Sequence, residues 1–230
     1  MFTKQELLEM DIEIPNLFNL QYTRAAALFE GLKYPWEALP GIGETILKIG
    51  ASLPEDEFDH PAEDVWIAKD AKVWPTARIT GPCIIDHGTE VRHCAFIRGN
   101  ALVGKNCVVG NSVELKNVIL FDNVQTPHYN YVGDSILGYR AHMGAGSITS
   151  NVKSDRFPVI VHIGERNIET GMKKFGAMIG DQAEIGCNTV LNPGSIVGRA
   201  STVYPVSCVR GTVPAYAIYK EADNIAYKMK

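Results

Sequence analysis

The chain has 230 residues, 46% of them hydrophobic, and a formal net charge of −4. That is enough for one folded unit with appendages, and the acidic balance argues against nucleic acid, whose phosphates select basic surfaces. No apolar run approaches the roughly 18 residues of a membrane span, MFTKQELLEMDIEIP lacks the build of a secretory leader, and five cysteines without a CxxC pair read as reduced residues of a cytoplasmic protein.

Residues 1–60 are expected to form a helical segment and linker. TKQELLEM places a threonine cap three residues before a glutamate, and NLQYTRAAALFEGL is rich in alanine and leucine and stops at Gly31, which together predict two helices. KYPWEALPGIGETILKIG reads as a proline-punctuated turn and a further short helix. The acidic PEDEFDHPAED is then a linker or the start of a cap.

Residues 61–211 carry a six-residue period. Ile67, Val73, Ile79, Ile85, Val91, Ile97, Val103, Val109, Leu115 and Phe121 follow one another at this interval, and Ile179, Ile185, Leu191, Val197, Val203 and Val209 resume it. Four residues after most of them stands a small residue, such as Ala71, Ala77, Cys83 and Ala95. A helix repeats at 3.6 residues and a strand at 2, so neither accounts for a period of six. The pattern is that of a hexapeptide β-helix, an all-β solenoid of parallel strands. Three hexads make one coil, the aliphatic residue fills the interior, the small one turns the corner, and the ends of the stack need caps.

Between Phe121 and Ile179 the period fails. This interval holds QTPHYNYVGD, the coils LGYRAH and MGAGSI, and an insertion at 150–176 whose FPVIVHI, GER and NIETG predict a projecting hairpin. A hairpin standing off a prism buries itself poorly, so it is expected to pack on a neighbouring subunit. Residues 212–230 are expected to form a helical tail. Arg98, Glu114 and Lys116 alternate with inward positions and therefore face outward.

One ordered set of residues is more specific than the repeat. Arg98, then GNSVELK, HYNYVGD, GAGSITSN and KKFGAMIGD resemble the acetyltransferase half of the bifunctional enzymes that acetylate glucosamine-1-phosphate and then uridylylate it, and the related sugar-1-phosphate nucleotidylyltransferases that end in such a domain. The likeness covers roughly residues 65–213, and YPWEAL resembles the connector between the halves of those enzymes. It implies a left-handed parallel β-helix, a homotrimer with sites between subunits, acetyl-coenzyme A as co-substrate, no metal, and an amino-sugar-1-phosphate acceptor. No glycine-rich nucleotidyl-transfer loop occurs, so the resemblance implies the acetylating half alone.

Carried over position by position, the resemblance makes His128 the general base, suited by an ordinary pKa near 6.5, and Glu114 the carboxylate that orients it. Arg98 and Lys116 match phosphate-holding residues, Tyr131 and Asn151 match contacts to the sugar and its amine or acetyl group, and Lys174 matches a further anion-binding lysine. His142 stands where an asparagine is usual, as a further sugar-site residue. The coenzyme A site is placed at Ala177, Cys187, Ser195 and Lys220, Cys187 replacing the usual serine. Two other readings compete. His87 and His93 stand one hexad apart and suggest zinc chemistry, although a zinc site needs a third ligand. Alternatively the chain is a non-catalytic, sugar-nucleotide-binding or scaffold trimer that partners a separate nucleotidylyltransferase docked on residues 1–60.

Overall fold

Parallel pairing at eighteen-residue intervals turns the six-residue period into stacked coils. Val65 pairs with Cys83, Cys83 with Ala101, and Val73 with Val91. The computed structural model describes residues 12–221 and 224–228, and forms a parallel β-solenoid of about nine turns. The TKQELLEM helix lies outside the described residues. Three faces make the prism. The first contains Val65–Ala68, Cys83–Ile85, Ala101–Val103, Ala177–Ile179, Ser195–Val197 and Thr212–Val213, and the second runs from Lys72–Val73 through Gln125–His128 to Ala217–Glu221. The third runs from Arg78–Ile79 through Phe96–Ile97 and Ile148–Thr149 to Cys208–Val209. Ile85, Ile97, Val103, Val109 and Leu115 are fully buried, as the inward positions should be.

The break in the period has a structural cause. Val103 pairs with Leu120 and Glu114 with Tyr131, so two successive coils are one residue short. The missing residue is lost at the corner between the third and first faces. There the chain runs through without a turn, in the continuous strands Glu114–Leu120 and Tyr131–Leu137. Leu120, not Phe121, therefore takes the inward position. Phe121 points outward and is buried because Phe18 and Phe29 cover it, at ring separations of 5.1 and 6.2 Å.

The amino-terminal segment is less helical than predicted. Leu20–Tyr22 and Ala26–Phe29 are only 3-10 turns, while Ile42–Gly50 is the expected α-helix after the 3-10 turn Pro35–Gly41. Propensity yields here to anchors along the solenoid. Asn19 N–H donates to Asp181 at 2.8 Å, Arg24 makes a forked pair with Asp86 at 2.6 and 3.0 Å, and Tyr22 stacks on Tyr139 at 3.7 Å. These anchors sit on different coils, so the chain between them must stretch along the stack rather than coil. The helix buries Ile42, Ile46 and Gly50 on one side. Gly50 is required there, since a Cβ would stand 2.5 Å from the Trp66 ring.

Both ends are capped by antiparallel strands. The acidic stretch begins the first cap, with Phe58–Ala62 folded back on Val65–Ala68. The described part of the tail is not helical. Ala217–Glu221 continues the second face through the pairs Thr202 to Ile218 and Val203 to Tyr219, and Asn224–Tyr227 covers its far edge. Ala217 and Tyr219 are buried with the half-buried Ile218 between them, a period of two that extends the ladder.

The insertion contains the expected hairpin, Ile160–Ile163 against Arg166–Glu169. It packs on its own solenoid, however, rather than needing a neighbour. Val159, Val161 and Ile163 are fully buried in the single chain, and Thr212 Oγ1 donates to the His162 carbonyl at 2.8 Å. Gly194 makes room for the hairpin, since a Cβ there would meet Val159 at 2.7 Å. All five cysteines are free thiols, with Cys83 and Cys107 buried. No helix among the described residues is long and apolar enough to cross a membrane.

Candidate functional site

Outward side chains on the third face meet at the shortened coils. Parallel register sets Phe96, Glu114 and Tyr131 side by side, with Lys116 beside Gly133. Arg98 Nη1 donates to Glu114 Oε1 at 2.6 Å. Lys116 Nζ donates to both oxygens of Asp134 at 2.9 and 3.1 Å, and Asp134 also accepts from Asn117 Nδ2 at 3.0 Å and Asn151 Nδ2 at 2.5 Å. Gly133 leaves space for the Tyr131 hydroxyl, which would lie 2.5 Å from any Cβ there.

This network explains the local electrostatics. Its four charged groups sum to zero, because Arg98 is paired with Glu114 and Lys116 with Asp134. Hydrogen bonding to Glu114 holds the Arg98 guanidinium above its usual range. Burial, with the charges of Asp134 and Glu114, pushes the Tyr131 hydroxyl up, partly offset by a hydrogen bond with Asn151. Tyr131 is therefore a neutral hydrogen-bonding group at neutral pH. Asp134 is the residue that sequence reasoning passed over. It stood inside HYNYVGD, and its place at the corner within the continuous strand Tyr131–Leu137 gave no sign that three donors would converge on it.

His128 lies at the corner between the second and third faces. Its strand pairs it with Asn111, its N–H donates to Asn130 Oδ1 at 3.2 Å, and the next residue, Tyr129, takes a left-handed conformation with φ 52°. The imidazole is exposed and has no hydrogen-bond partner among the described residues. Glu114 in the single chain is engaged by Arg98 instead of His128, but the two residues lie close in the chain path, since Glu114 N–H donates to the Asn130 carbonyl at 2.9 Å.

The other predicted residues divide. Asn151 joins the network, while Lys174 is exposed near it, one residue before Phe175, whose N–H donates to the Asn151 carbonyl at 3.0 Å. His142 stands apart on the second face, paired with Glu184 at 2.8 Å. Cys187 is exposed on the same corner ladder as His128, with Ala145 between them, since Gly146 N–H donates to the His128 carbonyl and Asn188 N–H to the Ala145 carbonyl. Lys220 lies over the Tyr204 ring at 5.9 Å, toward the end of that ladder. Ala177 and Ser195 are corrected. Both are fully buried on the first face, and the Ser195 hydroxyl donates to the Asn192 carbonyl at 2.7 Å, so neither side chain can touch a solvent-borne cofactor.

The two histidines of the zinc reading have other partners. His87 is held by Asp70 at 2.9 Å and Glu57 at 3.3 Å, and His93 by Thr76 at 2.7 Å and Cys94 at 3.2 Å. Among the described residues no group of three His, Cys, Asp or Glu side chains is arranged to hold a metal ion.

Comparison with known proteins agrees with the reading of the ordered residues. Residues 79–160 match the family described as the GMPPB C-terminal domain. The chain is 34% identical over 193 residues to the bifunctional protein GlmU of Methanococcus aeolicus, covering 76% of this chain and 47% of that protein. It is 31% identical over 119 residues to the bifunctional sugar-1-phosphate nucleotidylyltransferase/acetyltransferase of Sulfurisphaera tokodaii, covering 52% of this chain and 30% of that one. The chain thus spans about half or less of the relatives it matches, and resembles the carboxy-terminal half of GlmU. Among solved structures, the polysialic-acid-specific acetyltransferase NeuO superimposes with a TM-score of 0.45 at 15% identity, over 67% of this chain and 72% of that one.

Proposed function

We propose that this chain, which resembles the acetyltransferase half of the GlmU-type bifunctional proteins, is an N-acetyltransferase. It transfers the acetyl group of acetyl-coenzyme A to the amine of an amino sugar that carries a phosphate or nucleotide. It works as a homotrimer in the cytoplasm, with each site between two subunits. The observation that carries this reading is the convergence of Arg98, Glu114, Lys116, Tyr131 and Asn151 on one face, near the exposed His128 imidazole, which has no partner among the described residues.

His128 accepts the proton as the amine nitrogen attacks the thioester carbonyl, a step in which a positioned base contributes on the order of 10²–10⁴ in rate. Glu114, whose N–H donates to the carbonyl of Asn130 two residues after His128, has a second carboxylate oxygen to orient the imidazole once a substrate engages Arg98. Tyr131 and Asn151 hold the sugar by hydrogen bonds, both side chains packed over Gly133, where a Cβ would meet the Tyr131 hydroxyl at 2.5 Å and Asn151 Nδ2 at 3.0 Å. Coenzyme A runs along the corner ladder from His128 past Ala145 and Cys187 toward Tyr204 and Lys220. Coil spacing of about 4.8 Å sets its reach, and backbone groups replace the contacts expected of Ala177 and Ser195. Exposed Phe96, Tyr129, Tyr204 and Val206 on this face and corner support a second subunit there.

The test is release of free thiol from acetyl-coenzyme A across a panel of glucosamine-1-phosphate, galactosamine-1-phosphate, their 6-phosphates and nucleotide-linked aminodeoxy sugars. Release with an anomeric phosphate or nucleotide acceptor is the expected result. Silence across the panel from a folded trimer contradicts the activity and leaves a binding or scaffold role.

A further inference from the structure

The insertion does more than brace the solenoid. It leaves the third face just after Asn151 and returns at Phe175, at the corner that holds Asp134 and Tyr131. Its hairpin already buries Val159, Val161 and Ile163 against its own chain. At its base is a cavity of about 390 Å³ lined by Lys153, Phe157, Pro158, Val159, Ile160 and Glu169. Phe157 is 68% exposed at the lip, its backbone N–H held by Asp155 at 3.0 Å.

Of the charges at this cavity, Lys153 is already paired with Asp155 at 3.1 Å. Arg98 and Lys116 are already neutralised by carboxylates. Lys173 and Lys174 are exposed and have no ion-pair partner among the described residues. They occupy the run from Gly171, which lines the cavity, to Phe175 at the corner. That run spans at most about 14 Å when extended, so two unneutralised cations lie between an aromatic-lipped cavity and the sugar site.

We propose that this cavity is a nucleoside subsite and that the acceptor is therefore a nucleotide-linked amino sugar. The base stacks on Phe157 and presents an N–H edge to the Glu169 carboxylate, its diphosphate meets Lys173 and Lys174, and its sugar lies over Tyr131 and Asn151. An exposed aromatic ring suits this role because every base offers a stacking face, and unpaired lysines suit a diphosphate better than lysines already bound to carboxylates. The placement of the sugar rests on the acetyltransferase reading, whereas the nucleoside subsite stands on the cavity and the two lysines.

The experiment is titration calorimetry of UDP, GDP and dTDP into the full chain, in wild type, Phe157→Ala and the Lys173→Ala/Lys174→Ala double variant, with acetyl-coenzyme A titrated as a control. At least one nucleotide is expected to bind wild type and to bind each variant about tenfold or more weakly, with coenzyme A affinity unchanged. Failure of all three nucleotides to bind wild type overturns the subsite, as does equal affinity in Phe157→Ala. A change in oligomeric size in Phe157→Ala also overturns it, making Phe157 a subunit contact. Nucleotide binding without any acetyl transfer would preserve the subsite and remove the transferase reading. Thiol release with a sugar-1-phosphate and no nucleotide binding would do the reverse.

Discussion

At the scale of single residues, Asp134 organises the corner. It is 3% exposed and receives Lys116, Asn117 and Asn151 at once, so removing it unties three side chains and leaves a half-buried ammonium unpaired. Asp134→Ala is expected to cost about 1–3 kcal/mol in denaturant stability and to raise the acceptor KM at least about tenfold while leaving coenzyme A affinity unchanged. An unaltered acceptor KM would detach Asp134 from the sugar site. The residues on either side of it, Lys116 and Asn151, were legible in the sequence because they belong to an ordered set. Asp134 was not, because its importance comes from which coils are stacked beside it.

At the scale of elements, the amino-terminal segment and the shortened coils depend on one another. Loss of a residue per coil moved Leu120 into the interior and left Phe121 outside, where Phe18 and Phe29 cover it. Phe121→Ala is expected to destabilise the chain by about 3–5 kcal/mol, the usual range for emptying an aromatic site, as a lowered midpoint in chemical denaturation. A loss below about 1 kcal/mol would mean that the segment does not depend on this contact. The six-residue period made the coils legible, and alternation around FPVIVHI made the hairpin legible. The tail was misread because a few residues of AYAIYKEADNIAYKMK suit either a helix or a strand, and the choice is made by the open edge that Thr202 and Val203 present. NLQYTRAAALFEGL was misread for a related reason. Anchors on Asp86 and Asp181, remote in sequence, outweigh local propensity.

For the whole molecule, the closed stack separates interior chemistry from surface chemistry. Burial pushes the Cys83 and Cys107 thiols far up from their ordinary range, while Cys94, Cys187 and Cys208 are exposed. A thiol-alkylating reagent at neutral pH, read by peptide mass spectrometry, should therefore label those three in the native protein and reach Cys83 and Cys107 only after unfolding. Labelling of Cys107 in the native chain would show that the coils open around the shortened turns. Protection of Cys187 is expected when acetyl-coenzyme A is present, since the cofactor is placed along its corner.

The most direct measurement is turnover of His128→Ala against wild type, by thiol release from acetyl-coenzyme A with whichever acceptor the wild type uses. The imidazole is exposed and unpartnered among the described residues, so its loss should leave the fold and its thermal midpoint unchanged. Turnover should fall at least about a hundredfold. Turnover within a few-fold of wild type would remove His128 from the proton transfer and contradict the site as built on the third face.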